Sequence, residues 1–138
     1  MIRHSTISLE EGFAFLESDM QEHLKGKLKK NWRTLNGVSV KTTSQRYKVF
    51  MDSITCSTCA IEATYFALEK NVEVDKSYHL NLYGWRTVKN HGQIVRKEVL
   101  FTKDHILPRS KGGKDHYQNY QTMCVKCNNK KGNKMKVA

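Results

Sequence analysis

The sequence predicts an α+β fold: a small antiparallel sheet, a helical N-terminal region and a short helix near the C-terminus. Three observations carry that prediction. Leu9, Phe13, Leu16, Met20 and Leu24 recur at three- and four-residue steps, the period of an amphipathic helix. Tyr78, Leu80 and Leu82 alternate with His79, Asn81 and Tyr83, the period of a half-buried strand. Four cysteines fall in two Cys-x-x-Cys pairs, Cys56/Cys59 and Cys124/Cys127, with none left over.

The helix opens on Ser8-Leu9-Glu10-Glu11, the Ser-x-x-Glu form that satisfies orphan amides at a helix start, and ends near Gly26. Its apolar stripe is read as an ordinary core-facing stripe; the rival reading is a homodimer seam or a surface for another protein. Residues 27–48 follow, basic and weakly patterned, with Trp32 and Tyr47 interleaved and Asn36-Gly37 as a turn signal. A cationic arm along a phosphate backbone, led by Lys29, Lys30 and Arg33, and a solvated linker fit this stretch equally. Residues 49–54 lead into the first cysteine pair. Strand-like runs are expected at 60–68, 78–85 and 94–101, with a hairpin tip at Asn90-His91-Gly92. The last helix is expected to start near residues 123–125 and to reach about residue 135. The division of the chain follows: residues 1–48 form the helix and basic arm, and residues 49–138 a metal-stabilised domain.

With 138 residues and 38% hydrophobic side chains, the core is modest. Paired Cys-x-x-Cys spacing suits a closed Cys₄ zinc site, which would join the early strand region to the last helix, better than a disulfide framework. A redox role for either pair lacks the surrounding βαβ pattern. Neither a signal-peptide pattern nor a membrane-spanning run is present, so a reducing, cytoplasmic setting is expected. Net charge is +11, which favours a polyanionic partner. It is uneven: residues 1–26 sum to −3, 27–55 to +6, 56–101 to +1 and 102–138 to +7.

The second basic block holds the most informative stretch, residues 102–132, TKDHILPRSKGGKDHYQNYQTMCVKCNNKKG. Asp104-His105 ends an apolar run, Asn119 follows a loop opened by Pro108 and turned by Gly112-Gly113, and Asn128 directly follows Cys127. Neighbouring strand residues point to opposite faces, so Asp104 and His105 can share a site only where a strand ends or distorts. If the last helix runs from Cys124, then Cys124, Cys127, Asn128 and Lys131 share one of its faces. Imidazole exchanges a proton near neutral pH, and carboxylate and amide oxygens suit a hard, hydrated divalent cation.

The order Asp-His, loop, Asn, Cys-x-x-Cys-Asn-x-x-Lys resembles the HNH nucleases and their ββα-metal unit, in the variant with Asn128 in the last position. The resemblance implies an endonuclease hydrolysing phosphodiester bonds of double-stranded DNA. His105 would be the general base and Asn119 the residue that aims it. Asp104 and Asn128 would hold catalytic Mg²⁺ or Mn²⁺, while Arg109, Lys111, Lys114 and Lys131 would meet phosphate. Small basic proteins of this kind resemble phage or mobile-element nucleases, which act in a bacterial host cell. His116 is the reserve base. The alternatives are a zinc-ribbon-like nucleic-acid-binding module without catalysis, against which Asp104-His105 speaks, and a protein-interaction adaptor using the 9–24 helix.

Overall fold

The computed structural model describes residues 1–132. The chain is α+β. Five antiparallel strands run in the order β1-β4-β5-β6-β7: β1 (Ile2–Ser8), β4 (Ala63–Lys70), β5 (His79–Asn90), β6 (Gln93–His105) and β7 (Tyr120–Cys124). A two-stranded hairpin, β2 (Trp32–Leu35) and β3 (Val38–Lys41), stands beside the sheet. The helices are α1 (Leu9–Leu24), α2 (Gln45–Asp52) and α3 (Val125–Lys131).

α1 starts as its sequence predicts: the Ser8 hydroxyl accepts from the Glu11 amide at 3.1 Å. Its Leu16 and Met20 are buried with Tyr47 and Phe50 of α2 against Phe66, Leu68, Leu80, Leu82, Phe101 and Met123 of the sheet. Its apolar stripe therefore faces the core. No helix among the described residues is long and apolar enough to cross a membrane.

Several elements differ from their expected form. Residues 2–8 are an edge strand that the sequence pattern did not indicate, since only Ile7 among them is buried. Residues 27–48 are folded: Asn36-Gly37 turns the β2–β3 hairpin, and the segment then enters α2. Asp19 of α1 holds the hairpin, accepting from Thr42 Oγ1 at 2.6 Å and Asn31 Nδ2 at 2.7 Å. Tyr47 is fully buried, its hydroxyl accepting from the Leu80 amide, so it is a core residue. Trp32 stays exposed.

β4 begins at Ala63 rather than residue 60, because Cys56–Ala60 is a tight turn. The Ala60 amide donates to the Cys56 carbonyl, and Ala60 takes φ 64°. β5 and β6 run on to the turn at His91-Gly92 and so are longer than expected. α3 stops at Lys131, because Gly132 adopts φ 56° and cannot continue the helix. The expected extension to residue 135 lies outside the described residues.

Candidate active site and metal centre

β6, β7 and α3 build two clusters, one at each end of α3. At the first turn, Cys124 caps the helix and Cys127 follows, facing Cys56 and Cys59 of the tight turn. All four sulfurs lie within 4.8 Å of one another, and Cys59 Sγ is 3.8 Å from Cys124 Sγ. Four such thiols could hold a metal ion. The Arg86 guanidinium of β5 donates to Cys59 Sγ at 3.2 Å and approaches Cys124 Sγ at 3.5 Å. Burial opposes ionisation of Cys59, but the Ile61 amide and then Arg86 outweigh it and bring the thiol down to about 6. Burial, then hydrogen bonding with Cys124 and Cys59, pushes Cys127 up to about 12, and burial raises Cys124 as well. The cluster thus contains one thiol that ionises readily, Cys59, and two whose ionisation burial opposes, Cys124 and Cys127. Arg86 carried no signal in the sequence, because its contact is purely tertiary.

At the other end of α3, β6 keeps regular pairing up to its last residue, with Asp104 opposite Gln121 and His105 opposite Tyr120. The two side chains accordingly take opposite faces. Asp104 turns towards α3, where Lys131 Nζ lies 2.9 Å from its carboxylate and Gln121 Nε2 donates to it at 3.3 Å. Lys131 also donates to the His105 carbonyl at 3.1 Å and is largely buried. His105 turns the other way, edge-on to Tyr120 at 4.9 Å, with Nε2 2.8 Å from Asp115 Oδ1. Because the strand ends here, both side chains still line one cavity of about 280 Å³, with Pro108, Arg109, Ser110, Lys131 and Gly132.

Asn128, one turn before Lys131, donates through Nδ2 to Thr102 Oγ1 at 2.9 Å. Thr102 lies two residues before Asp104 on the same strand face, and its hydroxyl donates to the Met123 carbonyl.

The loop that follows His105 is tied by Asn119. Its Nδ2 donates to the carbonyls of Leu107 (3.1 Å) and Lys114 (2.9 Å), and its Oδ1 accepts from the Leu107 amide at 3.0 Å. The loop closes so tightly that a Cβ on Gly113 would lie 1.7 Å from the Leu107 carbonyl oxygen, so only glycine fits there. Within this loop Asp115 accepts from both His105 and Arg109, the latter through Nε at 2.8 Å and again through its terminal nitrogen. The Arg109 guanidinium first, and His105 second, hold the Asp115 carboxyl well below the ordinary carboxylate range. Asp115 was missed by sequence reasoning; the available signal was a lone acid, ten residues beyond the histidine, in an otherwise basic loop.

The other expected residues divide cleanly. Lys111 and Lys114 are exposed on the loop, Arg109 is exposed but paired with Asp115, and Lys131 is committed to Asp104. Lys29 and Lys30 are exposed ahead of β2, and Arg33 on it lies 3.7 Å from Asp19. His116 lines a separate cavity with Leu107, Gly112, Lys114 and Gln118, and its Nδ1 accepts from the Gln118 amide. It is not among the residues lining the His105 cavity.

Residues 93–138 match the family model described as HNH endonuclease, and no curated protein or solved structure matches the chain. The match covers β6 and β7, the Asn119-tied loop and α3, the elements that carry both clusters except Cys56, Cys59 and Arg86. The C-terminal third of this chain is thus similar to the HNH endonucleases.

Proposed function

We propose that the chain is a metal-dependent endonuclease that hydrolyses phosphodiester bonds of DNA. The observation that carries it is the convergence of Asp104, His105 and Lys131 on one cavity, beside a loop that a single asparagine ties at both ends. His105 is the general base. Ionised Asp115 accepts only, so in the neutral imidazole the proton sits on Nε2 and Nδ1 keeps the lone pair that takes a proton from water. Asn119 fixes the loop bearing Asp115 and so aims the ring. Arg109, Lys111 and Lys114 meet the phosphates around the scissile bond.

The catalytic cation is Mg²⁺ or Mn²⁺, with Asp104 and the Asn128 amide oxygen as protein ligands. Both are hard oxygen donors, and Asp104 already attracts a cation, the Lys131 ammonium. When bound, such an ion stabilises the charge that develops on the leaving oxygen. The thiol cluster takes zinc. A tetrahedron with Zn–S bonds of about 2.3 Å has edges of about 3.8 Å, the separation of Cys59 and Cys124 sulfurs. Zinc would pin α3, and Asn128 on it, to the Cys56–Cys59 turn.

Zinc-loaded protein should relax supercoiled plasmid with Mg²⁺ and fail with a chelator that leaves zinc in place. His105→Ala should lower the rate by about 10² to 10⁴ while zinc content and melting temperature stay near the parent's. A parent that binds DNA without cutting it would be the non-catalytic module instead. A variant that cuts at the parent's rate would remove His105 as the base.

A further inference from the structure

β5 and β6 are longer than the sheet needs. β5 pairs with β4 only as far as Gly84, and β6 pairs with β7 only from Phe101 onward. From Trp85↔Glu98 to Asn90↔Gln93 the two strands pair with each other alone, closed by the turn at His91-Gly92. The result is a two-stranded ribbon extending past the sheet by five strand steps, about 17 Å at ~3.4 Å per residue.

Its chemistry is one-sided. Residues 86–97 contain Arg86, Lys89, Arg96 and Lys97 and no acid. The acid at its base, Glu98, is taken up by Arg3, whose guanidinium donates to both carboxylate oxygens at 2.8 and 2.9 Å. Register places Lys89 and Arg96 on one face with Ile94, and Lys97 on the other. Ile94 is 71% exposed, more than an apolar side chain gains from in a ribbon with no partner.

We infer that this ribbon is a duplex-DNA-binding arm that enters the major groove about one helical turn from the cleavage site. The inference rests on the nuclease function proposed above and extends its substrate contact. Three observations support duplex DNA as the occupant. A two-stranded β-ribbon fits the major groove of B-DNA, about 12 Å wide. The ribbon's charge complements phosphate on both faces. It is also continuous with the cleft, because β6 runs unbroken from Arg96 to His105. Those nine steps span about 30 Å, close to one turn of B-DNA at ~34 Å. The protein would therefore touch DNA about one helical turn from the bond it cuts, with Lys89, Arg96 and Lys97 on phosphates or base edges and Ile94 against the groove floor.

Two variants test this. The first combines Lys89→Ala, Arg96→Ala and Lys97→Ala, leaving Arg86 on the thiols. The second replaces residues 89–94 by Asn-Gly, a two-residue turn that joins the paired Val88 and Val95 directly. Each is compared with the parent in duplex affinity against salt, in hydroxyl-radical footprint, and in hydrolysis of bis(4-nitrophenyl) phosphate. That small diester needs the His105 site but not the ribbon. Affinity should fall tenfold or more in both variants, the salt slope should flatten by up to about 2.7 for three lost charges, and the footprint should lose the segment about one turn from the cut. Hydrolysis of the small diester should stay at the parent's rate. An unchanged affinity and footprint in both variants would overturn the arm while leaving the nuclease standing. A parent that cuts neither substrate but loses duplex affinity in the variants would overturn the nuclease and keep the arm. Equal binding of an A-form RNA duplex by the parent would overturn groove entry, since that major groove is too narrow for side chains to read.

Discussion

The two ends of α3 present two candidate metal positions in different states of readiness. At its first turn, four sulfurs from segments 65 residues apart are already within 4.8 Å of one another. At its last turn, the two side chains proposed as oxygen ligands already have partners: the Asp104 carboxylate has Lys131, and Asn128 donates through its amide nitrogen to Thr102. A metal at the thiols displaces protons and meets Arg86 as a hydrogen-bond donor to two of the sulfurs, so its binding energy adds largely to folding. A metal at the oxygens has to displace an ammonium, so it binds more weakly and exchanges. That suits the two jobs proposed for them, one ion as a staple and the other as a reagent that must admit phosphate and water.

The largest expected effect breaks the first position. Cys59→Ser should lose the metal and most of the cooperative fold, because structural zinc contributes on the order of 10 kcal/mol, comparable to the whole stability of a small domain. Elemental analysis should give one zinc per parent chain and none in the variant. Well-folded parent protein without zinc would collapse the contrast between the two positions.

A smaller effect exposes the competition at the second. Lys131→Met should free the Asp104 carboxylate, leaving a largely buried charge without its partner. Without divalent metal the melting temperature should fall, by a cost between ~1 kcal/mol for an exposed pair and ~3 kcal/mol for a buried one. Added Mg²⁺ or Mn²⁺ should raise it again by more than in the parent, since ion binding now replaces the missing cation. If metal stabilises variant and parent equally, Lys131 does not compete for the ion's place.

The same contrast marks what was legible in the sequence. The thiol pairs, Asp104-His105 at a strand end, and the Ser8-capped α1 all have local signatures, set by spacing or periodicity, and the structure brings these residues together. β1 lacked one because an edge strand with a single buried residue shows no alternation. The 27–48 segment lacked one because non-local contacts fold it, Asp19 to Thr42 and Tyr47 to Leu80. Asp115 and Arg86 act through side chains that meet only in three dimensions. The ribbon's four cations were hidden by averaging, since Glu62, Glu69, Glu73 and Asp75 bring residues 56–101 close to neutrality.

The smallest expected effect is also the most diagnostic, because it changes which metal works rather than whether one does. Asn128→His puts a borderline nitrogen where a hard amide oxygen stands. The imidazole can keep one N–H on Thr102 Oγ1, as the Asn128 amide does at 2.9 Å, and present its other nitrogen to the ion. Thr102 keeps its own bond to the Met123 carbonyl, so melting should change little. Nitrogen ligation favours later first-row ions over Mg²⁺. Cleavage supported by Mn²⁺, Co²⁺ and Ni²⁺ should therefore gain on that supported by Mg²⁺, by about tenfold, the ratio produced by ~1.4 kcal/mol. The measurement is the ranking of plasmid-cleavage rates across the four ions for parent and variant, on protein with equal zinc content. The thiol site should not respond, because its ligands are untouched. An identical ranking in the two proteins would remove Asn128 from the ligand set and leave Asp104 as the cleft's one protein ligand.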